Sequence, residues 1–177
     1  MSAMKWILLV AGVLVLLVAV LALIGLFLPR EHRATCRARF RASAETLHAT
    51  LSDVEGYPAW RAGVISVRKL EPLDGKPAFV EETSQGAIRY VVELDEPGRK
   101  RVLRIADDSL PFGGTWTFAL APDANGTTLS ITEDGFVKPA LFRVLARFVF
   151  GYHSTMEQYL ASLSSKLGES ATIERVE

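Results

Sequence analysis

The reactive side chains are few. His153 is the best general base by residue type, because imidazole titrates near working pH, and it follows Gly151 in a stretch of helical period. No serine or cysteine nucleophile stands where it could pair with it, so the bland alternative is an ordinary helix histidine. Glu133 shares strand parity with Leu129 and Ile131 and points wherever they point, whereas Asp134 points the other way. An inward carboxylate there is a raised-pKa acid or an anchor for a polar ligand group. His153 and Glu133 are therefore the catalytic candidates.

Other groups carry less chemistry. His32, His48 and His153 lack metal-ligand spacing, and Asp107-Asp108 would need further oxygen ligands to hold a cation, so no metal is expected. Glu81 and Glu82, adjacent on a strand, face opposite sides and do not form a carboxylate pair. Cys36, the sole cysteine, excludes an internal disulfide and alternates with Ala34, Ala38 and Phe40 as a buried thiol would. No organic cofactor is implied.

These residues follow a long apolar segment. Trp6 to Leu28 gives 23 positions without a charge, roughly 35 Å of helix against a hydrocarbon core of about 30 Å. A cleaved signal would have a shorter core and small residues before the cleavage site, whereas Leu26-Phe27-Leu28 are bulky. Residues 1–28 thus read as a single-pass anchor and 29–177 as one soluble domain. Arg30 and Arg33 follow the span, with Arg37, Arg39 and Arg41 beyond them, against Lys5 before it, which favours a cytoplasm-facing domain. The chain is formally neutral, with no basic surface to attract nucleic acid.

Periodicity places the elements. His32 to Arg41 alternates as a half-buried strand; Ser43 caps a short helix carrying Leu47, Leu51 and Val54, interrupted by Gly56-Tyr57-Pro58, and a second short helical turn runs through Pro58-Ala59-Trp60. Strands follow at 64–70, 78–83, 88–94, 102–106, 116–120 and 129–131, separated by turn residues such as Pro97-Gly98 and Asn125-Gly126, with Ser109 to Gly114 as a loop. From Leu141 a helical period carries Leu145, Phe148, Tyr152, Met156, Tyr159, Leu163 and Leu167 as one stripe, whose weak point is Gly151.

One strand, two short helices, six strands and a long helix can bury both apolar surfaces only if the sheet curls around the last helix, an α+β arrangement. In this order, and in Leu51-Ser52-Asp53-Val54-Glu55-Gly56-Tyr57-Pro58-Ala59-Trp60, Gly114-Thr115-Trp116-Thr117-Phe118, Gly126-Thr127-Thr128-Leu129 and Pro139-Ala140-Leu141-Phe142-Arg143, the chain resembles the SRPBCC group: START-like, polyketide cyclase/dehydrase and lipid-transport proteins. The resemblance spans roughly residues 31–168 and implies a helix-grip fold, with an elongated cavity between sheet and C-terminal helix.

Trp60, Tyr90, Trp116, Phe118, Phe148, Tyr152 and Met156 would line that cavity; Trp60 could instead plug one end of the barrel. The implied function is membrane-anchored binding of a lipid or other hydrophobic small molecule. The alternatives are a cyclase/dehydratase-like enzyme in which His153 and Glu133 move protons, and a ligand-free interaction domain at the membrane.

Overall fold

A computed structural model describes residues 3–176. Helix α1 (Ala3–Phe27) is apolar along nearly its whole length, long enough to cross a membrane, and exposed at nearly every side chain. Strand β1 (Glu31–Phe40) buries Ala34, Cys36, Ala38 and Phe40 and turns Arg33, Arg37 and Arg39 outward to Asp134, Glu174 and Asp123. Helix α2 (Ala44–Ser52) starts where the Ser43 hydroxyl accepts the Thr46 N–H at 3.2 Å, satisfying a donor the first turn leaves free. A 3-10 helix (Val54–Ala59) follows, pinned by Tyr57 Oη donating to the Leu51 carbonyl at 2.6 Å.

Six strands then meander: β2 (Val64–Leu73), β3 (Lys76–Thr83), β4 (Gly86–Glu96), β5 (Lys100–Ile105), β6 (Phe112–Asp123) and β7 (Gly126–Val137). With β8 (Ile173–Val176) they form one antiparallel sheet in the order β2-β3-β4-β5-β6-β7-β1-β8. Two features depart from the periodicity. Strand β6 starts at Phe112, inside the expected loop, because Gly113 and Gly114 pair with Phe136 and Gly135 of β7. Strand β8 is four residues long and half charged, too little pattern to read, yet it pairs with Thr35–Ala38 of β1.

The closing helix is where expectation and structure differ most. It is not one rod: α3 (Ala140–Leu145) runs into a π-helical turn (Ala146–Phe150), the chain breaks at Gly151 with φ 72°, and α4 (Ser154–Lys166) restarts. A π turn inserts an extra residue and Gly151 takes the left-handed region, so a 3.6-residue stripe cannot carry across. Met156, Tyr159, Leu160 and Leu163 keep the inward face of α4. Phe148, expected on that stripe and in the cavity wall, is instead 66% exposed.

The curved sheet closes on α4 and α2 around a core that includes Phe40, Leu47, Leu51, Phe79, Phe118, Leu129, Ile131 and Met156.

Candidate functional site

A pocket of about 600 Å³ lies at the end of the barrel beside the helix break. Its walls come from the start of β6 (Phe112, Gly113), the end of β7 (Glu133, Phe136, Val137), α3 and the π turn (Phe142, Ala146, Phe150), and Gly151, Tyr152, Ser154 and Thr155. Most of this lining is apolar, and its one titratable pair is His32 with Glu133.

Sheet register builds that pair. His32 stands opposite Gly135, and Ala34 opposite Glu133, so all four share the inward face of the β1–β7 ladder. Gly135 leaves room for the imidazole: a methyl there would meet its Cε1 at 2.6 Å and its Nε2 at 2.7 Å. The ring reaches along the ladder until Nε2 lies 3.4 Å from Glu133 Oε1. Tyr152, turned inward after Gly151, stacks on the other side of the imidazole at 3.9 Å between centroids and 11° between planes. His32 Nδ1 is buried without a hydrogen-bond partner. Carboxylate, imidazole and phenol thus form one polar corner in an apolar wall, able to hold a hydroxyl or to exchange a proton with one.

The candidates from the sequence divide accordingly. Glu133 and Tyr152 are brought together, but the histidine between them is His32. His153 sits at the N-terminus of α4, its carbonyl facing the Cys36 thiol at 3.9 Å, and its side chain does not line the pocket. Trp60, Tyr90, Trp116, Phe118 and Met156 pack in the interior, away from the wall of this pocket. Tyr90 stacks on Phe79 at 5.2 Å, while Trp60, Trp116 and Phe118 each approach the Tyr159 ring within 6.0 Å. These rings crowd together on the inner side of the sheet, Phe118 fully buried and Trp60, Tyr90 and Trp116 partly so.

A buried ion pair inside that aromatic cluster escaped sequence reasoning. Glu81, 3% exposed at its side chain, is bonded by Arg61, whose guanidinium lies 4.7 Å from the centre of the Tyr57 ring and 4.6 Å from that of Tyr159. Burial pushes the Glu81 carboxyl above its ordinary value, and Arg61 opposes this. The inward parity of Glu81 with Phe79 was available as a signal; its partner beyond the Trp60 turn was not.

A further pocket of similar volume lies between the 3-10 helix and β2–β4, but its charged side chains are already paired, Lys76 with Glu93, Arg101 with Asp95 and Lys69 with Glu55. Among the described residues no group of three or more histidine, cysteine, aspartate or glutamate side chains could hold a metal ion.

Several solved structures share the fold. A START superfamily protein from Mycobacterium smegmatis is 21% identical with a TM-score of 0.60, the match covering 79% of this chain and 98% of that one. The norcoclaurine synthase of Thalictrum flavum is 11% identical with a TM-score of 0.61, over 79% of this chain and 88% of the synthase. The di-domain aromatase/cyclase StfQ of the steffimycin biosynthetic pathway is 16% identical with a TM-score of 0.56, and this chain spans about half of it, 52%. No curated protein matches the sequence. The order of strands and helices and a match over residues 31–167 agree: the chain belongs to the polyketide cyclase / dehydrase and lipid transport family.

Proposed function

We propose that this protein is a membrane-anchored binding module that takes up a lipid or another amphipathic small molecule, its apolar body against Phe112, Phe136, Phe142 and Phe150 and its polar end at His32 and Glu133. The observation that carries this reading is the pocket itself: a half-open, mostly apolar hollow with the His32–Glu133 pair in its wall suits a ligand that is mostly hydrocarbon or aromatic and carries a hydrogen-bonding group. Helix α1 supplies the anchor, residues 29–177 the ligand-binding domain, and the arginines after the span favour the cytoplasmic side.

A second reading is a cyclase/dehydratase-like enzyme. It draws on the His32–Glu133 contact, since an imidazole whose one nitrogen meets a carboxylate and whose other nitrogen is unpartnered is arranged as a base with its orienting group. In that reading His32 replaces His153 as the proton carrier. A norcoclaurine synthase of this fold has been solved with dopamine and hydroxybenzaldehyde, so the fold can enclose aromatic molecules.

Native mass spectrometry of the full chain released from detergent micelles tests the first reading. A co-purified amphiphile is expected, and it should be lost when the pocket is filled by Ala146→Trp. A wild-type chain that carries nothing and binds no fluorescent lipid would overturn the binding reading.

A further inference from the structure

The last turn of α1 and the start of α3 are locked together. Gly25, a buried residue in a helix otherwise exposed nearly throughout, is so close to the Ala140 backbone that any side chain would collide with the Ala140 carbonyl. Arg143, 5% exposed, donates from one guanidinium nitrogen to the Gly25 carbonyl at 3.1 Å and the Leu28 carbonyl at 3.4 Å. Its other nitrogens bond the carbonyls of Val137 at 3.1 Å and Lys138 at 2.7 Å. The arginine thus adds a donor to carbonyls at the end of α1 and fixes α3 at the depth of that last turn.

At that depth the outer side of 140–150 is strongly apolar. Phe142, Phe148, Val149 and Phe150 are between 50% and 66% exposed, and they continue the exposed Leu26 and Phe27 at the end of α1. Arg30 and Arg147 flank them, the latter over the Phe148 ring at 5.9 Å. Two of these residues, Phe142 and Phe150, also line the pocket. An apolar face continuous with a spanning helix, at the level where that helix leaves the hydrocarbon and bordered by arginine, has the composition of an element lying in the bilayer interface.

We infer that residues 140–150 form a second, non-spanning membrane contact in which Phe142, Phe148, Val149 and Phe150 enter the interfacial layer beside the anchor. The pocket then opens toward the acyl chains. Its ligand is a molecule dissolved in the leaflet, reached sideways without passing through water. This rests on the reading of α1 as an anchor, and the test separates the two.

The full chain, carrying Phe148→Cys or Phe150→Cys, is labelled with an environment-sensitive fluorophore and reconstituted into phosphatidylcholine/phosphatidylglycerol vesicles. Cys36 is buried and its thiol held protonated by burial, so the wild type serves as an unlabelled control. Asn125→Cys, on the exposed β6–β7 turn at the far end of two twelve-residue strands, supplies an aqueous reference roughly 35 Å away. The expected result is flotation with the vesicles, blue-shifted emission at 148 and 150, strong quenching by lipids spin-labelled high on the acyl chain, and several-fold weaker iodide quenching than at 125. Flotation with positions 148 and 150 as open to iodide as 125 overturns the insertion and leaves the anchor standing. Emission that is blue-shifted but unaffected by lipid-borne quencher means the patch is covered by protein, a second copy included, and also overturns it. A chain that does not float overturns the anchor reading and this one with it.

Discussion

The imidazole of His32 lies face to face with the phenol of Tyr152, centroids 3.9 Å apart, although the two residues come from opposite ends of the domain. The stack restricts the ring and directs Nε2 along the sheet to Glu133. The break at Gly151 that disrupts the closing helix is also what brings Tyr152 inward. A defect in the helix and the polar corner of the pocket are therefore one feature.

Removing the acceptor should weaken binding without unfolding the domain. Glu133→Ala is expected to lower the affinity for a fluorescent lipid probe by about tenfold, ~1.4 kcal/mol, the scale of a hydrogen bond to a charged group. Tyr152→Phe keeps the stacked ring and should change the affinity little, whereas Tyr152→Ala should cost as much as Glu133→Ala. Titration of the probe into full-length protein in micelles reads all three, with melting curves as the folding control. If His32→Phe abolishes a turnover while probe affinity stays at the wild-type level, the enzyme reading takes precedence.

The exposed position of Phe148 reverses the consequence its sequence periodicity suggests. Phe148→Asp should change the stability of the detergent-solubilised chain by no more than about 0.5 kcal/mol, because an exposed side chain away from the core leaves little behind. Met156→Ala, fully buried on α4, should cost about 2–5 kcal/mol. Thermal melts followed by the sheet's circular dichroism distinguish the two. Equal losses would place Phe148 back on the core stripe.

What could be read ahead of the structure follows the range of the interactions. Alternation in β1 and β7 was enough to turn Cys36 and Glu133 inward, because side-chain parity is local. The partner of Glu133 was not legible, since His32 lies 101 residues away and meets it only through the register that sets His32 opposite Gly135. Gly151 is visible as a weak point, but neither its positive φ nor the π turn before it is written in the spacing of apolar residues. Extending the helical period through that point put Phe148 in the core and His153 near the ligand. Trp116 and Phe118 do turn inward, and only three-dimensional packing sets them against each other and against Tyr159.

Arg61 and Glu81 should behave as a unit. Arg61→Leu leaves a buried carboxylate unpaired and is expected to destabilise by about 3–5 kcal/mol at neutral pH. Adding Glu81→Leu should recover most of that loss, because the charge needing the partner has gone. The deficit of the single variant should shrink as pH falls through the carboxylate range, because Glu81, already raised by burial, takes up a proton sooner in the native than in the unfolded chain. Chemical unfolding of the four proteins of the double-mutant cycle measures the coupling, and additive effects would show that the pair is not energetically linked.

Alkaline pH should destabilise the protein through its buried phenols. Burial raises Tyr57 and Tyr159 above the ordinary tyrosine value, and the neighbouring Arg61 guanidinium, which favours the phenolates, does not offset it. The unfolded chain begins to lose these protons near pH 10 while the native state keeps them, so the native state binds more protons and stability declines as pH rises through that region. Below about pH 9 this contribution is fully present; above about pH 10 it falls by ~1.4 kcal/mol per pH unit for each tyrosine. Tyr159 offers the sharper test, because its buried hydroxyl has no hydrogen-bond partner, whereas Tyr57 donates to the Leu51 carbonyl. Tyr159→Phe should thus be neutral or slightly stabilising at pH 7 and should flatten the alkaline decline; Tyr57→Phe should flatten it too but lose about 1 kcal/mol at pH 7. Urea midpoints between pH 7 and 11 give both quantities, and a decline equally steep in the two variants and the wild type would assign the alkaline loss to other groups.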